Sequence, residues 1–205
     1  VMNTRLPQFE DIRVRDAMIH AFNFEFINDA MTGGAQPRIT SYFSNSPLAM
    51  QDGPATGRVL EFLQPFADDI PADAISGYEL PISDGSERNR DNISAALDLM
   101  QQAGYTVQDG VMANADGDAF TFEILLETGS SENQSMIDIY VQSLSRLGIT
   151  PTITAIDGAQ YSERTDTYDF GMTYFRRGLS LSPGNEQYLY WGIEAADVTG
   201  GRNMM

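Results

Sequence analysis

Two adjacent arginines, Arg176 and Arg177, are the residues best suited to bind a small ligand. They directly follow Tyr174 and Phe175, so two forked guanidinium groups stand beside two aromatic rings. Guanidinium groups bind a carboxylate or phosphate through paired hydrogen bonds, and aromatic faces pack against the apolar part of a ligand. The alternative is that both arginines pair with acidic groups at the surface. The pattern indicates a candidate binding site for a ligand that carries an anionic group.

The position of these arginines after a predicted strand supports the same interpretation. Phe170, Met172 and Tyr174 occupy alternate positions, which predicts a strand, and the loop 175–185 follows its carboxyl end. In open α/β sheets, ligands bind beyond the carboxyl ends of the strands. We therefore expect this loop, including Ser180 and Asn185, to contribute to the binding site.

Motifs that specify catalysis or metal binding are missing or incomplete in the sequence. The chain has no cysteine, which excludes thiol nucleophiles, disulfides and thiolate zinc sites, and its single histidine, His20, cannot form a histidine cluster. Residues 114–118 resemble the start of a calcium loop, but Ala119 and Leu125 stand where that loop has a glycine and an acid. Ser180 lacks the final glycine of a nucleophile elbow. No metal or cofactor is therefore predicted.

The charge of the chain excludes one class of partner and leaves other functions open. All 12 basic residues are arginine, against 29 acids, and the formal net charge is −17. Such a surface cannot neutralise phosphates, so neither nucleic acid nor an anionic membrane is an expected partner. So many acids make carboxylate pairs common by chance, and a hydrolase domain that uses such a pair remains the rival hypothesis. A third possibility is an interaction module whose negative charge recruits a basic partner.

Hydrophobic periodicity predicts helices in the first half of the chain. Asp11 is placed to cap one long amphipathic helix that ends at Gly33-Gly34. Between the predicted helices, residues 35–53 are expected to be irregular apart from a strand-like stretch at 39–43, and residues 67–89 are expected to form a long surface excursion. Further helices are predicted over residues 54–66 and 90–103.

The second half of the chain predicts an α/β core. Asp109-Gly110 and Asp116-Gly117 indicate hairpin turns. A strand over 120–126 leads to a helix with a capping box at residues 131–134, and a strand over 149–155 follows Gly148. Strand, helix and strand of these lengths form a crossover unit, which requires parallel strands. A short helix capped by Asp157 and the strand before Arg176 complete a mixed sheet flanked by helices.

Several segments together resemble one protein family. The run RVRDA followed by AFNFE over residues 13–25 is similar to a helix of the family 5 extracellular solute-binding proteins, the peptide and nickel receptors of ABC transporters. Residues 41–46, 89–92, 180–187 and 190–192 support the resemblance, which is closest to oligopeptide-binding proteins of the YejA type and runs nearly end to end.

The resemblance implies a fold, a location and a role. The fold is one lobe of a periplasmic-binding-protein-like structure (type II, cluster C), and residues 1–205 are expected to be most of the second lobe, with residues 1–4 as a strand near the hinge. The first lobe, the end of the second lobe and the signal peptide are expected to lie outside this sequence. The implied protein is a periplasmic, monomeric receptor that closes on a peptide, delivers it to a membrane permease and performs no chemistry.

One departure from the family pattern concerns the ligand. Peptide receptors of the family place an acid shortly after the aromatic residue that ends this strand, where it holds the α-amino group of the ligand. Here Arg176 and Arg177 follow Phe175, and the next acid is Glu186. The arginines are therefore expected to favour an acidic group on the ligand. The expected substrate-binding residues are Tyr42, Tyr174, Phe175, Arg176, Arg177, Ser180 and Asn185, and a core position is an equal alternative for Tyr42.

Overall fold

The computed structural model describes residues 1–196 and 198–203, which form two units. The larger unit comprises Val1–Gln36, Ile82–Gly178 and the described chain from Ser182 onward, and the smaller comprises Pro37–Pro81 and Leu179–Leu181. The helices are α1 (Ile12–Ala21), α2 (Phe24–Thr32), α3 (Gly57–Leu63), α4 (Asp73–Ser76), α5 (Arg90–Gln102), α6 (Ser131–Ser145), α7 (Gly158–Asp166) and α8 (Glu186–Trp191). The strands are β1 (Thr106–Gln108), β2 (Val111–Ala113), β3 (Glu123–Glu127), β4 (Thr152–Ile156) and β5 (Met172–Thr173). Of these elements, α3 and α4 belong to the smaller unit.

The main sheet of the larger unit has the order β4-β3-β5, with both pairs parallel. Ile124 of β3 lies opposite Ile153 on one side and Met172 on the other. Residues 1–3 run antiparallel beside β5, through a bridge between Met2 and Met172. The parallel crossover from β3 through α6 to β4 and the mixed character of the sheet are thus confirmed. A separate antiparallel hairpin, β1-β2, turns at Asp109-Gly110 as predicted.

The central strand β3 is buried on both faces. Ile124 and Leu126 join the main core with residues from α1, α5 and α6, while Leu125 packs with Phe170 in a smaller cluster on the other face. Tyr161 of α7 packs against that smaller cluster. A strand covered on both faces needs apolar residues at consecutive positions, and the sequence Ile-Leu-Leu supplies them.

The predicted helix from Asp11 to Gly33 is wrong as one continuous element, because it is interrupted at Phe22 and Asn23. Asn23 is buried and forms the N-cap of α2. Its Oδ1 accepts a hydrogen bond from the Ser83 hydroxyl at 2.6 Å, and its Nδ2 donates to the Ser86 carbonyl oxygen at 2.7 Å. These long-range bonds hold the backbone out of helical geometry. The predicted ends are confirmed: the Asp11 side chain caps α1, and Gly33 ends α2 with φ +65°.

Several other predicted boundaries differ from those in the structure. The N-cap of α6 is Ser130 and not Ser131, since Ser130 Oγ accepts from the Asn133 N–H. The predicted strand at 39–43 is a turn, in which the Ser44 hydroxyl accepts from the Ser41 N–H at 2.8 Å. The second predicted helix, 54–66, is α3 followed by a 3-10 turn at Gln64–Phe66, and α4 lies in the region expected to be irregular. Strands β3 and β4 each begin three residues later than predicted.

Gly148 joins α6 to the β1-β2 hairpin at a point where a side chain has no room. It has φ +74°, and a Cβ built on it would lie 2.8 Å from Met112 N and 2.9 Å from Gly110 O. The Gly148 carbonyl oxygen accepts from the Met112 N–H at 2.9 Å, so neither backbone can withdraw without losing that bond.

Within residues 1–196 and 198–203, every helix is too short or too polar to span a bilayer.

Gly148→Ala is expected to cost far more stability than Gly104→Ala. Gly104 also has positive φ, at +92°, but open space surrounds its missing Cβ. The left-handed conformation alone costs about 1–2 kcal/mol for alanine, which sets the expected cost at Gly104. Because backbone atoms must also shift at Gly148, we expect a loss of about 3 kcal/mol or more there. Urea unfolding of both variants measures the difference, and equal losses would contradict the close approach.

Candidate functional site

A cavity of about 870 Å³ lies at the carboxyl ends of β3 and β5. Leu126 and Glu127 line it from the end of β3, and residues 174–178 line it from the segment after β5. Ser130 and Asn133 at the start of α6, residues of α7, Tyr190 of α8 and Arg202 complete the wall. Neighbouring parallel strands end at the same edge of a sheet, so the topology places these groups together.

Tyr161 fixes the segment that leaves β5. Its hydroxyl donates to the Tyr174 carbonyl oxygen at 2.8 Å and lies 2.8 Å from Thr173 Oγ1. Thr173 Oγ1 in turn donates to the Leu125 carbonyl oxygen at 2.8 Å, which ties β5 to β3 through side chains as well as backbone. Burial raises the pKa of Tyr161, and the nearby charge of Glu127 adds to this effect. Tyr161 is therefore a neutral hydrogen-bond donor at physiological pH.

Arg177 lies among aromatic rings. Its guanidinium carbon is 3.8 Å from the ring centre of Tyr190, 4.7 Å from that of Phe175 and 5.4 Å from that of Trp191. Its Nη2 donates to the Arg202 carbonyl oxygen. Cation–π contacts and this bond link the segment after β5 to α8 and to the end of the described chain. Arg177 therefore has a structural role besides lining the cavity.

Arg176 differs from its neighbour, because it is exposed and lines the cavity. Its side chain forms no ion pair with any residue in the described part of the chain. A guanidinium group in this position is available to a carboxylate or phosphate of a ligand.

The amino end of β3 carries a different arrangement of charge. Arg164 of α7 donates from Nη2 to Glu123 at 2.6 Å and from Nε to Asp169 at 2.7 Å. The hydrogen bond from Arg164 holds the pKa of Glu123 below its ordinary value. This network fastens α7, which carries Tyr161, against β3. Both of its acids, Glu123 and Asp169, are paired with Arg164.

The structure brings together four of the seven residues expected to bind substrate. Tyr174, Phe175, Arg176 and Arg177 all line the cavity. Asn185 is exposed at the N-cap of α8 and is not among the residues that line the cavity. The other two, Tyr42 and Ser180, lie in the smaller unit and are exposed, so the alternative of a core position for Tyr42 is wrong.

The sequence did not single out the other residues that line this cavity, among them Glu127, Tyr161 and Arg202. Glu127 directly follows the predicted strand 120–126, and this position at a strand end was the one signal that could have identified it. Tyr161 and Arg202 carried no sequence signal, since they reach the cavity only through the packing of α7 and of the chain after α8.

The other chemical motifs form ordinary structure. His20 Nδ1 lies 3.0 Å from the Asp16 carbonyl oxygen of the same helix. Asn114 Oδ1 accepts from the N–H groups of Asp116 and Asp118, so residues 114–118 form a turn, as predicted. In the described residues, no group of three or more His, Cys, Asp or Glu side chains is arranged to hold a metal ion.

Comparison with known protein families gives a match over most of the chain. The profile of the bacterial extracellular solute-binding proteins, family 5 Middle, matches residues 1–197. This chain belongs to that family. The predicted relationship to YejA-type proteins is also confirmed, since the "Probable peptide-binding protein YejA" of Agrobacterium fabrum is 37% identical over 206 residues. That match covers 100% of this chain and 33% of the relative, so the chain spans about a third of the length of the curated relatives it matches.

Solved structures confirm the predicted fold. The oligopeptide-binding protein AppA of Bacillus subtilis, in complex with a nonapeptide, has a TM-score of 0.66 at 19% identity. The match covers 99% of this chain and 34% of AppA. NikA of Brucella suis, in complex with Fe(III)-EDTA, has a TM-score of 0.65 at 18% identity, with 97% and 33% covered. The larger unit, with its mixed sheet and flanking helices, thus belongs to the fold of family 5 solute-binding proteins.

Arg164→Ala is expected to lower stability by about 1–2 kcal/mol at neutral pH. A lowered pKa in the folded state means that Glu123 stabilises the fold above its ordinary value of 4.5, and that this contribution is lost as the pH falls through the folded pKa. The stability difference between wild type and variant is therefore full at pH 7 and shrinks below about pH 4.5. Urea unfolding at both pH values measures it, with Arg146→Ala, which breaks the more exposed pair with Glu87, as the control. A difference that does not change with pH would contradict the assignment.

Arg177→Ala is expected to destabilise the protein, whereas Arg176→Ala is not. Arg177 loses its contacts with Tyr190 and Phe175, which are worth about 1–2 kcal/mol together. Arg176 is exposed, and its removal should change the free energy of unfolding by less than about 0.5 kcal/mol. Thermal unfolding of both variants measures the contrast. A fully stable Arg177→Ala variant would mean that the ring contacts contribute nothing to the fold.

Proposed function

We propose that this chain is most of the second lobe of a periplasmic receptor that binds peptides for an ABC importer. Its family is that of extracellular solute-binding proteins, and a relative with 37% identity is named as a peptide-binding protein. Residues 1–3, paired beside β5, suit a strand that enters from a hinge. The receptor is a monomer, passes its ligand to a membrane permease and performs no chemistry of its own.

The observation that carries the proposal is the composition of the cavity at the strand ends. Tyr174 and Phe175 offer apolar faces, and Arg176 offers a guanidinium group that no described residue pairs. A peptide has the matching features, an apolar side chain and a carboxylate. The volume of the cavity, about 870 Å³, is within the range of small-ligand sites. The ligand is therefore a short peptide with at least one anionic group near Arg176.

In the proposed receptor, this chain supplies only one of the two lobes that enclose the ligand. A receptor that closes two lobes over a ligand draws its affinity from both, and closure excludes water from the charged contacts. The lobe alone is expected to bind weakly, because it supplies only part of the contact surface. Ligand binding by the closed receptor should depend only slightly on salt, in contrast to recruitment of a basic partner by net charge.

Native mass spectrometry of the complete receptor, followed by release and sequencing of the bound molecule, tests this function. We expect a co-purified peptide, and we expect Arg176→Ala to lower its occupancy about tenfold, since one charge-assisted hydrogen bond is lost. Arg88→Ala, an exposed arginine outside this cavity, is the control and should leave occupancy unchanged.

Three results would contradict the proposal. A non-peptide ligand such as a metal chelate would overturn the ligand class. Unchanged occupancy in Arg176→Ala would reduce that arginine to surface charge. Turnover of a peptide or glycoside that one acid-to-amide substitution abolishes would favour the rival, a carboxylate-pair hydrolase.

A further inference from the structure

The two glutamates of β3 have opposite surroundings. Glu123, at the amino end, is paired with Arg164 at 2.6 Å. Glu127, at the carboxyl end, is exposed and lines the cavity. Among the described residues, none forms an ion pair with Glu127 or donates a hydrogen bond to its carboxylate. The fold therefore neutralises one carboxylate of the strand and presents the other to the cavity.

The start of α7 makes room for the Glu127 carboxylate. A Cβ built on Gly158 would lie 2.5 Å from Glu127 Oε1, so the carboxylate occupies the space that a side chain would take. Asp157 caps the helix, and its side chain already accepts hydrogen bonds from the N–H groups of Ala159 and Gln160. Glu127 is thus packed against the first turn of α7, while the capping role belongs to Asp157.

The register of the sheet places this carboxylate close to the arginine segment. Leu125 of β3 lies opposite Thr173 of β5, so Glu127 and Phe175 occupy corresponding positions just beyond the paired residues. Adjacent strands are about 4.8 Å apart. Arg176 follows Phe175 directly, and both Glu127 and Arg176 line the cavity. One edge of the sheet therefore presents an acid from one strand and a guanidinium from the next.

A cavity with this charge pattern fits a ligand that carries both charges. We propose that Glu127 binds the cationic group of the peptide, its free α-amine, and so determines that the receptor takes peptides with an unblocked amino end. This assignment rests on the proposed function. No described residue forms an ion pair with the Glu127 carboxylate, so an ammonium group of the ligand can pair with it when the receptor closes and excludes water.

The test uses the complete receptor and a mixed peptide pool. The pool contains equal amounts of a tetrapeptide library without lysine, arginine or histidine and of its N-acetylated counterpart, so the α-amine is the only cation. Peptides retained by the receptor are counted by mass spectrometry. We expect wild type to retain the free-amine half at least tenfold over the acetylated half, and Glu127→Gln to retain both about equally.

Two further variants separate charge from position. Gly158→Ala leaves the charge in place but displaces the carboxylate, and it should lower the discrimination without lowering the melting temperature. Glu163→Gln removes an exposed acid of α7 that does not line the cavity, and it should discriminate as wild type does. Thermal unfolding of Glu127→Gln checks that its fold is intact.

The outcomes distinguish this assignment from the function on which it rests. If wild type retains peptides without preferring the free amine, or if Glu127→Gln still prefers it, peptide binding stands and the role of Glu127 is overturned. If Asp166→Asn abolishes the preference in place of Glu127→Gln, the amine is held by the other acid that lines the cavity. If wild type retains neither half of the pool, the proposed function and this assignment fail together.

Discussion

Strand β3 organises the larger unit, because it is paired on both edges and buried on both faces. Its backbone is bonded to β4 on one side and β5 on the other, and its faces are covered by two separate apolar clusters. A parallel strand held in this way must end at the same edge as its neighbours. The cavity forms at that edge, so strand register sets where Glu127 and the segment after β5 enter it, while α7, α8 and the chain after α8 supply the other walls.

The charged residues near β3 fall into two groups, those that hold the fold together and those that line the cavity without an ion-pair partner among the described residues. In a chain with 29 acids and 12 arginines, Arg164 holds α7 to β3, and Arg177 stacks on rings of the segment that it stabilises. Arg176 faces the cavity without an ion-pair partner among the described residues, and Glu127 does the same from the next strand. Unpaired charges of opposite sign at one sheet edge suit the binding of a zwitterionic ligand better than they suit catalysis. This is the basis on which we prefer a receptor to a hydrolase.

Local signals in the sequence predicted much of this frame. Alternating and helical periodicity predicted the parallel crossover, Asp11 and Asp157 predicted their helix caps, and the rule for strand ends led from β5 to Arg176. The break at Asn23 was not predictable, because it depends on bonds from Ser83 and Ser86 that are distant in sequence. Glu127 was missed for a different reason: its position after a predicted strand was a signal, but nothing else distinguished it from the other acids of the chain.

We infer that the ligand binds at the edge formed by β3 and β5. A crystal structure of the complete receptor with its co-purified ligand tests it most directly. We expect a peptide in this cavity, with a carboxylate within hydrogen-bond distance of Arg176 and its amino group beside Glu127. A ligand bound elsewhere, with this cavity filled only by water, would show that this edge of the sheet is not the binding site.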